Sequence, residues 1–364
     1  MSEHPEPLAE EIAEQINRPV TAPVRIHVHK AGLLTSVQNL GRHGQRHLGV
    51  CQAGALDPLA FRVANRLVGN PEACAGLEIT VGQQVVLSFS AATRIALSGA
   101  DCAATLDGTP LHACHSVSVT PGQRLTLHTT SRGMRAYLAV AGGIVVPSVL
   151  ASPSTDLQSG FGGLQGRALR DGDVLTAGDA AWLDAPPFGV KAPEWCDFAQ
   201  VRSVQPVSRE YVRNGAEACM VRLLRGPDYA SFTPAAHRAL WQGEWTITAN
   251  SNRMGYRLSG PTLERREHTD LLSHAVLPGT LQVPPNGQPI LLMGDAQTAG
   301  GYPRIGAVIS ADLWRLAQRR AGTPVRFVEC SLADARAALH KIERYLRQLD
   351  LAVRMERERA LRTA

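Results

Sequence analysis

Apolar residues along this chain recur mostly at every second position and in short runs, the spacing of strands rather than of helices. Ordered structure is expected to begin at Val24-Arg25-Ile26-His27-Val28, an alternating strand that leads into a glycine-polar loop over 35–44. Further strands are predicted at Val85–Phe89 and at 94–97, 103–106, 116–119, 125–128 and 136–140. Asp107-Gly108 and Pro121-Gly122 provide hairpin turns between them. Short strands at this spacing predict a β-sandwich or barrel, and helical patterns are too few for a doubly wound sheet.

Helical spacing is confined to a few stretches. Asp57 caps and Pro58 starts a helix whose buried stripe is Leu59, Val63, Ala64 and Leu67, with Gly69-Asn70 ending it. The free amides of that start suit an anion, but Asp57 already fills the cap and repels one, so its first role is that of a cap. Thr233-Pro234 opens a short helix towards Trp241, and a helix is expected from Asp312 to Ala321 between Ser310 and Gly322. Ser331 and Asp334 have capping-box-like spacing ahead of a long last helix, where Leu339, Ile342, Leu346, Leu349 and Val353 form a narrow seam for the body or for a partner helix. A short amphipathic helix over 8–16 is expected to form a frayed or partner-held arm.

The densest signal lies between Gly279 and Ile309. Strands at 281–283 and 290–293 flank Pro284-Pro285-Asn286-Gly287, a reversal in which Pro fixes φ and Asn-Gly accepts positive φ, so a hairpin follows. Asp295, Gln297 and Thr298 then precede Gly300-Gly301-Tyr302-Pro303-Arg304. Successive glycine amides there can form a concave anion site with Arg304 beside it, or a plain structural turn. Elsewhere Ser251-Asn252-Arg253 stands at the end of a strand predicted over 246–249 and reads as a binding edge. The Gly- and Ser-rich stretch 152–173 is either a surface connection or a functional loop.

Composition narrows the function classes. The 364 residues carry a net charge of +5, with 19% charged and 5% aromatic residues. Arginines are scattered without an aromatic-studded stripe, which argues against nucleic acid as a partner. The longest apolar region, 136–151, is broken by Gly142, Gly143 and Pro147 and is too short to span a bilayer. The acidic start lacks a signal core, so a cytoplasmic location is expected. Seven cysteines without a CxxC pair point to reduced thiols. No metal site is expected: strand alternation puts Cys114 on the face of His112 and turns His115 away. Together these signals divide the chain into a polar arm (1–22), a first β-rich domain (23–200), a second β-rich domain (201–330) and a C-terminal helix (331–364).

Four motifs, GRHGQRHLGVCQAGALDPLAFRVANRLVGN, SPSTDLQSGFGGLQGRALRDGD, SNRMGYRLSG and QVPPNGQPILLMGDAQTAGGYPRIG, resemble the family of 5-oxoprolinase C subunits, the biotin-dependent carboxyltransferase or allophanate hydrolase subunit 2 type also fused within urea carboxylase. The resemblance spans roughly residues 24 to 330. It departs from the family's usual residues at Asn39, Asp228, Asn252 and Ala299. The resemblance implies a mainly β fold with a few helices, whose second domain is a cyclophilin-like β-barrel. It also implies a small-molecule amide as substrate: ATP-dependent hydrolysis of 5-oxo-L-proline to L-glutamate in a complex with the 5-oxoprolinase B and A subunits. ATP is then a cofactor of the complex, and no biotin is attached to this chain, which has no Met-Lys-Met-type hairpin. Within that reading Arg253 and Arg304 bind anionic groups, Gly300 and Gly301 hold an oxyanion, and Asp295 is the base or orients the nucleophile. Gln38, Gln297 and Asn252 bond the amide, with Tyr302 beside them; each of these residues also has a plain structural role open to it. Carboxyl transfer from a carboxybiotin carrier to urea or a similar amide is one alternative activity. Non-catalytic binding of a kinase-inhibitor protein is the other.

Overall fold

The computed structural model describes residues 23–129, 132–178, 185–192, 218–267 and 271–363. The arm helix expected over 8–16 lies outside them, as does most of the proline-rich crossing at 184–200. The fold is mainly β, and alternation accounts for most of it. Val24–Ala31 buries Val24, Ile26 and Val28 and turns Arg25 outward, and Cys219–Arg225 alternates in the same way.

Between residues 24 and 189 the strands form two sheets. In spatial order the first contains Ile144–Val145, Val174–Ala177, Val24–Ala31, Val85–Phe89, Arg124–Leu127, Ala104–Leu106 and Thr109–Leu111. The second contains Phe188–Gly189, His115–Val119, Thr93–Asp101, Arg132–Val140, Gly76–Thr80 and Leu34–Gln38. Ile26, Leu87 and Phe89 from the first sheet share one core with Leu77, Ile95 and Leu138 from the second. The other face of the second sheet is covered by helix α1, Pro58–Leu67, which begins where the Asp57 carboxylate accepts the Ala60 N–H at 2.8 Å.

Residues 219–329 close into a seven-stranded barrel in the order Cys219–Arg225, Arg304–Val308, Thr280–Gln282, Ile290–Leu292, Gly255–Ser259, Trp245–Ile247, Pro324–Glu329. Parallel pairing of Cys219 with Val325 through Leu223 with Glu329 closes it, so it has no free edge. Its interior is filled by Val221, Trp245, Leu258, Leu281, Ile305 and Phe327. The predicted hairpin is present, with Leu281 opposite Leu291. Helix α2, Pro234–Gln242, packs outside, and α3, Leu313–Ala317, is shorter than the ten residues expected: Ser310–Asp312 forms a 3-10 turn before it, and the helix ends at a Gln318 C-cap, four residues early. The last helix, α4, Leu332–Thr363, lays Ile342, Leu346, Leu349 and Val353 against α1, so the seam folds back on the body; Leu339 of the expected seam is exposed, and Ala338 takes its place. None of the described helices is long and apolar enough to cross a membrane.

Two local expectations give way. Residues 34–38 are an edge strand paired with Gly76–Thr80 rather than the start of a glycine-polar loop. Cys114 adopts a left-handed conformation, φ 60°, which breaks the alternation and brings the His112 and His115 rings to 5.7 Å.

Candidate functional site at the seam between sheets and barrel

A cluster of buried charges lies where the second sheet meets the barrel. Arg253, 6% exposed, leaves a barrel turn and donates from Nε and Nη2 to the two oxygens of Asp295, at 2.8 and 2.9 Å. It also donates from Nη1 to Glu78 and from Nη2 to the Gly54 carbonyl at 2.7 Å. Both acceptors belong to the sheet half, so this guanidinium bridges the two halves. Glu78 stands at the centre of the apolar strand Gly76-Leu77-Glu78-Ile79-Thr80 and is 2% exposed. Its other oxygen accepts the Leu56 N–H and the Tyr137 hydroxyl, each at 2.8 Å. Arg135 lies 3.6 Å from Glu78 and donates to the Tyr256 hydroxyl at 2.8 Å and to the Ala317 carbonyl.

Burial pushes the Asp295 carboxyl up, against the pull of the bidentate guanidinium. For Arg253 burial acts downward, but Glu78 and Asp295 outweigh it and hold the group protonated above its ordinary value. The pair is therefore a salt bridge with both oxygens of Asp295 occupied.

The loop 39–57 sets this geometry. Gly54, at φ 83°, approaches Gly41 so closely that a Cβ would lie 2.7 Å from the Gly41 nitrogen, which closes the loop on itself. Ala53 then donates to the Gly294 carbonyl of the barrel at 3.1 Å. Asn39 organises the loop's root: its side-chain oxygen accepts from Gly41 N, Ser152 Oγ and Ser154 Oγ at 2.7–2.8 Å, a task an Asp oxygen would also perform.

Beside it lies a second group of side chains. Arg42, 1% exposed, stacks on Phe161 at 4.6 Å and donates to the Val149 carbonyl at 3.2 Å and to that of Ser154. Cys51 donates its thiol to Asp156 at 3.2 Å, and burial first, then Asp156, pushes that thiol up to about 12. Arg46 reaches across to the barrel carbonyls of Val276 and Gln297, at 2.5 and 3.0 Å. Arg42 Nη1, Arg46 Nη1 and Gln38 Oε1 are buried without a protein partner among the described residues.

The structure thus brings Arg253 and Asp295 into contact and leaves the other expected residues dispersed. Gln38 is buried, donating to Ser36 Oγ and the Thr155 carbonyl. Gln297 is exposed and contributes its carbonyl to Arg46. Asn252 is exposed and its side-chain oxygen accepts Met254 N at 2.9 Å, which makes it a turn former. Gly300 pairs with His274 in a two-stranded ribbon, and neither it nor Gly301 takes the positive φ of a concave amide site. Gly301 and Tyr302 line a separate hollow of about 360 Å³ with Leu263, Val283 and Pro284. Arg304 is held by Asp228 at 3.0 Å. Glu78, Arg135, Arg42, Cys51 and Asp156 escaped sequence reasoning. A glutamate inside the apolar run Leu77-Glu78-Ile79 was the available signal, since a charge on a two-sided buried strand requires a partner.

Residues 48–329 match the family model "Carboxyltransferase domain, subdomain A and B". The chain is 45% identical to the 5-oxoprolinase C subunit of Escherichia coli, over 89% of this chain and 97% of that protein. It is 39% identical to the 5-oxoprolinase C subunit of Haemophilus influenzae, over 86% of this chain and 94% of that one. The solved urea amidolyase of K. lactis aligns with a TM-score of 0.78 at 26% identity, covering 95% of this chain but 21% of that much longer one. A match across most of its length, together with these near-full-length relatives, places the conclusion beyond fold alone: the chain belongs to the carboxyltransferase-domain family, subdomains A and B, that includes the 5-oxoprolinase C subunits.

Proposed function

We propose that this chain is the C subunit of a 5-oxoprolinase, working with the A and B subunits to hydrolyse 5-oxo-L-proline to L-glutamate at the expense of ATP. The observation that carries this reading is the near end-to-end likeness to two bacterial proteins of that name. A five-membered lactam has a poorly electrophilic carbonyl, and phosphorylation of its oxygen supplies the leaving group that hydrolysis needs. The chain's part is then to hold a small anion and an amide in line with a water.

The seam supplies groups of the right kind. Among the described residues Arg42 and Arg46 each keep a buried guanidinium nitrogen without a protein partner, which suits a carboxylate or phosphate. These donors fit a phosphate group, and nucleotide recognition is assigned to the assembled complex. Asp295, with both oxygens on Arg253, takes the orienting role rather than that of free base, holding the Gly294–Gln297 loop against Ala53 and Gly54. Mixing this chain with its candidate partner subunits and 5-oxoproline is expected to release glutamate only when ATP is present. No release from a complex that assembles would overturn the proposal.

The family model and the likeness to urea amidolyase favour one second reading, carboxyl transfer from a carboxybiotin carried on another protein to a small amide. Biotin-dependent carboxylation of urea by the same mixture, in place of glutamate release, would select it.

A further inference from the structure

Asp57 is more deeply engaged than a helix cap requires. One of its carboxylate oxygens accepts the Ala60 N–H, and the other accepts the Gln318 side-chain N–H at 2.8 Å, from the segment that follows α3 on the barrel side. The Gln318 oxygen is fixed in turn by the N–H groups of Met134 and Arg135, both at 3.0 Å, so the amide cannot turn over without losing both. On its other side, the Asp57 N–H donates to the Tyr137 hydroxyl, which donates to Glu78, the partner of Arg253. A continuous buried chain of hydrogen bonds therefore runs from Gln318 through Asp57 to the Arg253–Asp295 pair.

The charges of that chain do not balance. Three carboxylates, Asp57, Glu78 and Asp295, share two guanidinium groups, Arg135 and Arg253. Glu78 and Asp295 take the direct contacts, and Asp57 is left with neutral donors alone. The groups acting on it are Glu78, which repels its charge, Arg135, which attracts it, and the neutral Tyr137 and Cys114.

We propose that Asp57 is a positioning residue whose charge state sets how firmly the barrel seats on the paired sheets, and with it the placement of the Arg253–Asp295 pair. Its effect on turnover rests on the reading of the seam as the functional site; its effect on seating does not.

Burial pushes the Asp57 carboxyl up to about 6 in the seated form, whereas exposure to water on opening returns it to about 4. The seated form thus binds the proton more tightly. Its advantage is full below about pH 4, declines as pH rises to about 6, and is constant above that. The difference between the two values corresponds to about a hundredfold change in the opening equilibrium at most.

Hydrogen exchange of the full chain between about pH 4 and 8, corrected for the intrinsic pH dependence, tests this. The amides of Leu56, Arg135 and Asp295 are expected to lose about tenfold or more protection between about pH 4 and 6 in the wild type. Asp57→Asn removes the titrating group, so it is expected to flatten that decline to the share Asp295 carries; its side-chain N–H groups cannot accept the Gln318 N–H, so that one contact is lost at every pH. Equal profiles for wild type and Asp57→Asn, with fraying of α1 only in Asp57→Ala, would reduce Asp57 to a cap and overturn the proposal. In the assembled complex, a flattened pH profile of kcat in Asp57→Asn is the matching result. Should that complex release no glutamate while the exchange result holds, the functional reading fails and the positioning role stands.

Discussion

Arg253 shows how much one side chain can organise. It satisfies Asp295 twice, Glu78 once and the Gly54 carbonyl once, and its removal leaves buried Asp295 without its counter-charge and Glu78 with Arg135 alone, at 3.6 Å. Breaking a buried pair in this way costs about 3–5 kcal/mol, because the stranded charge cannot recover its hydration. Arg253→Met is therefore expected to lower the unfolding free energy by about that amount in urea titration, and adding Asp295→Leu to recover part of the loss. A loss below about 1 kcal/mol would mean that water reaches Glu78 and Asp295. Cys51 carries a different expectation. With its thiol pushed up to about 12 and donating to Asp156, it is a hydrogen-bond donor rather than a nucleophile. Iodoacetamide at about pH 8 is expected to leave it unmodified in the native chain, and peptide mapping that finds it alkylated would remove this assignment.

At the scale of elements, α4 is the clearest case of a pattern legible in sequence and completed by packing. Its apolar seam has a receptor in α1, and the flanking pairs Arg62–Glu343 and Arg66–Asp350 are partly exposed and add little. Leu346 is fully buried, so Leu346→Ala is expected to cost about 2–5 kcal/mol in thermal or urea unfolding, whereas Arg66→Ala should change stability only slightly. Equal effects of the two would show that charge rather than apolar burial holds the helix. The strands illustrate the opposite case. Leu34–Gln38 and Gly76–Thr80 were not anticipated because both are buried on two faces and carry polar residues such as Ser36, Gln38 and Glu78. Alternation is invisible in such a strand, and the polar residues look like loop until their partners are known.

For the whole molecule, the decisive feature is the seam. The two halves meet through hydrogen bonds and charges, Arg253 to Glu78, Arg135 to Tyr256, Gln318 to Asp57 and Arg46 to Gln297, and through apolar contacts, since Leu56 packs in the barrel core and Ile309 and Ala311 pack with α1. The apolar contacts hold the halves together, while the buried charges between them make the seam responsive to pH and to ligand. The release of glutamate by an assembled complex and the pH dependence of seam protection are both whole-molecule measurements for that reason.

By itself the sequence determined the β-rich class, the hairpin at 280–292, the caps of α1, the seam of α4 and the family, because period, turn chemistry and motif are local properties. It also singled out Arg253 and Asp295, whose surroundings of Ser, Asn and Gly are unusual along the chain. Tertiary structure alone decided that these two meet, that Arg304 belongs with Asp228, and that Gly300 is a strand residue. It alone revealed Glu78, Arg135, Arg42 and Asp156 as neighbours of the seam. The physical reason is that a buried charge is defined by its partner, and here the partners stand as far apart in sequence as Glu78 and Arg253.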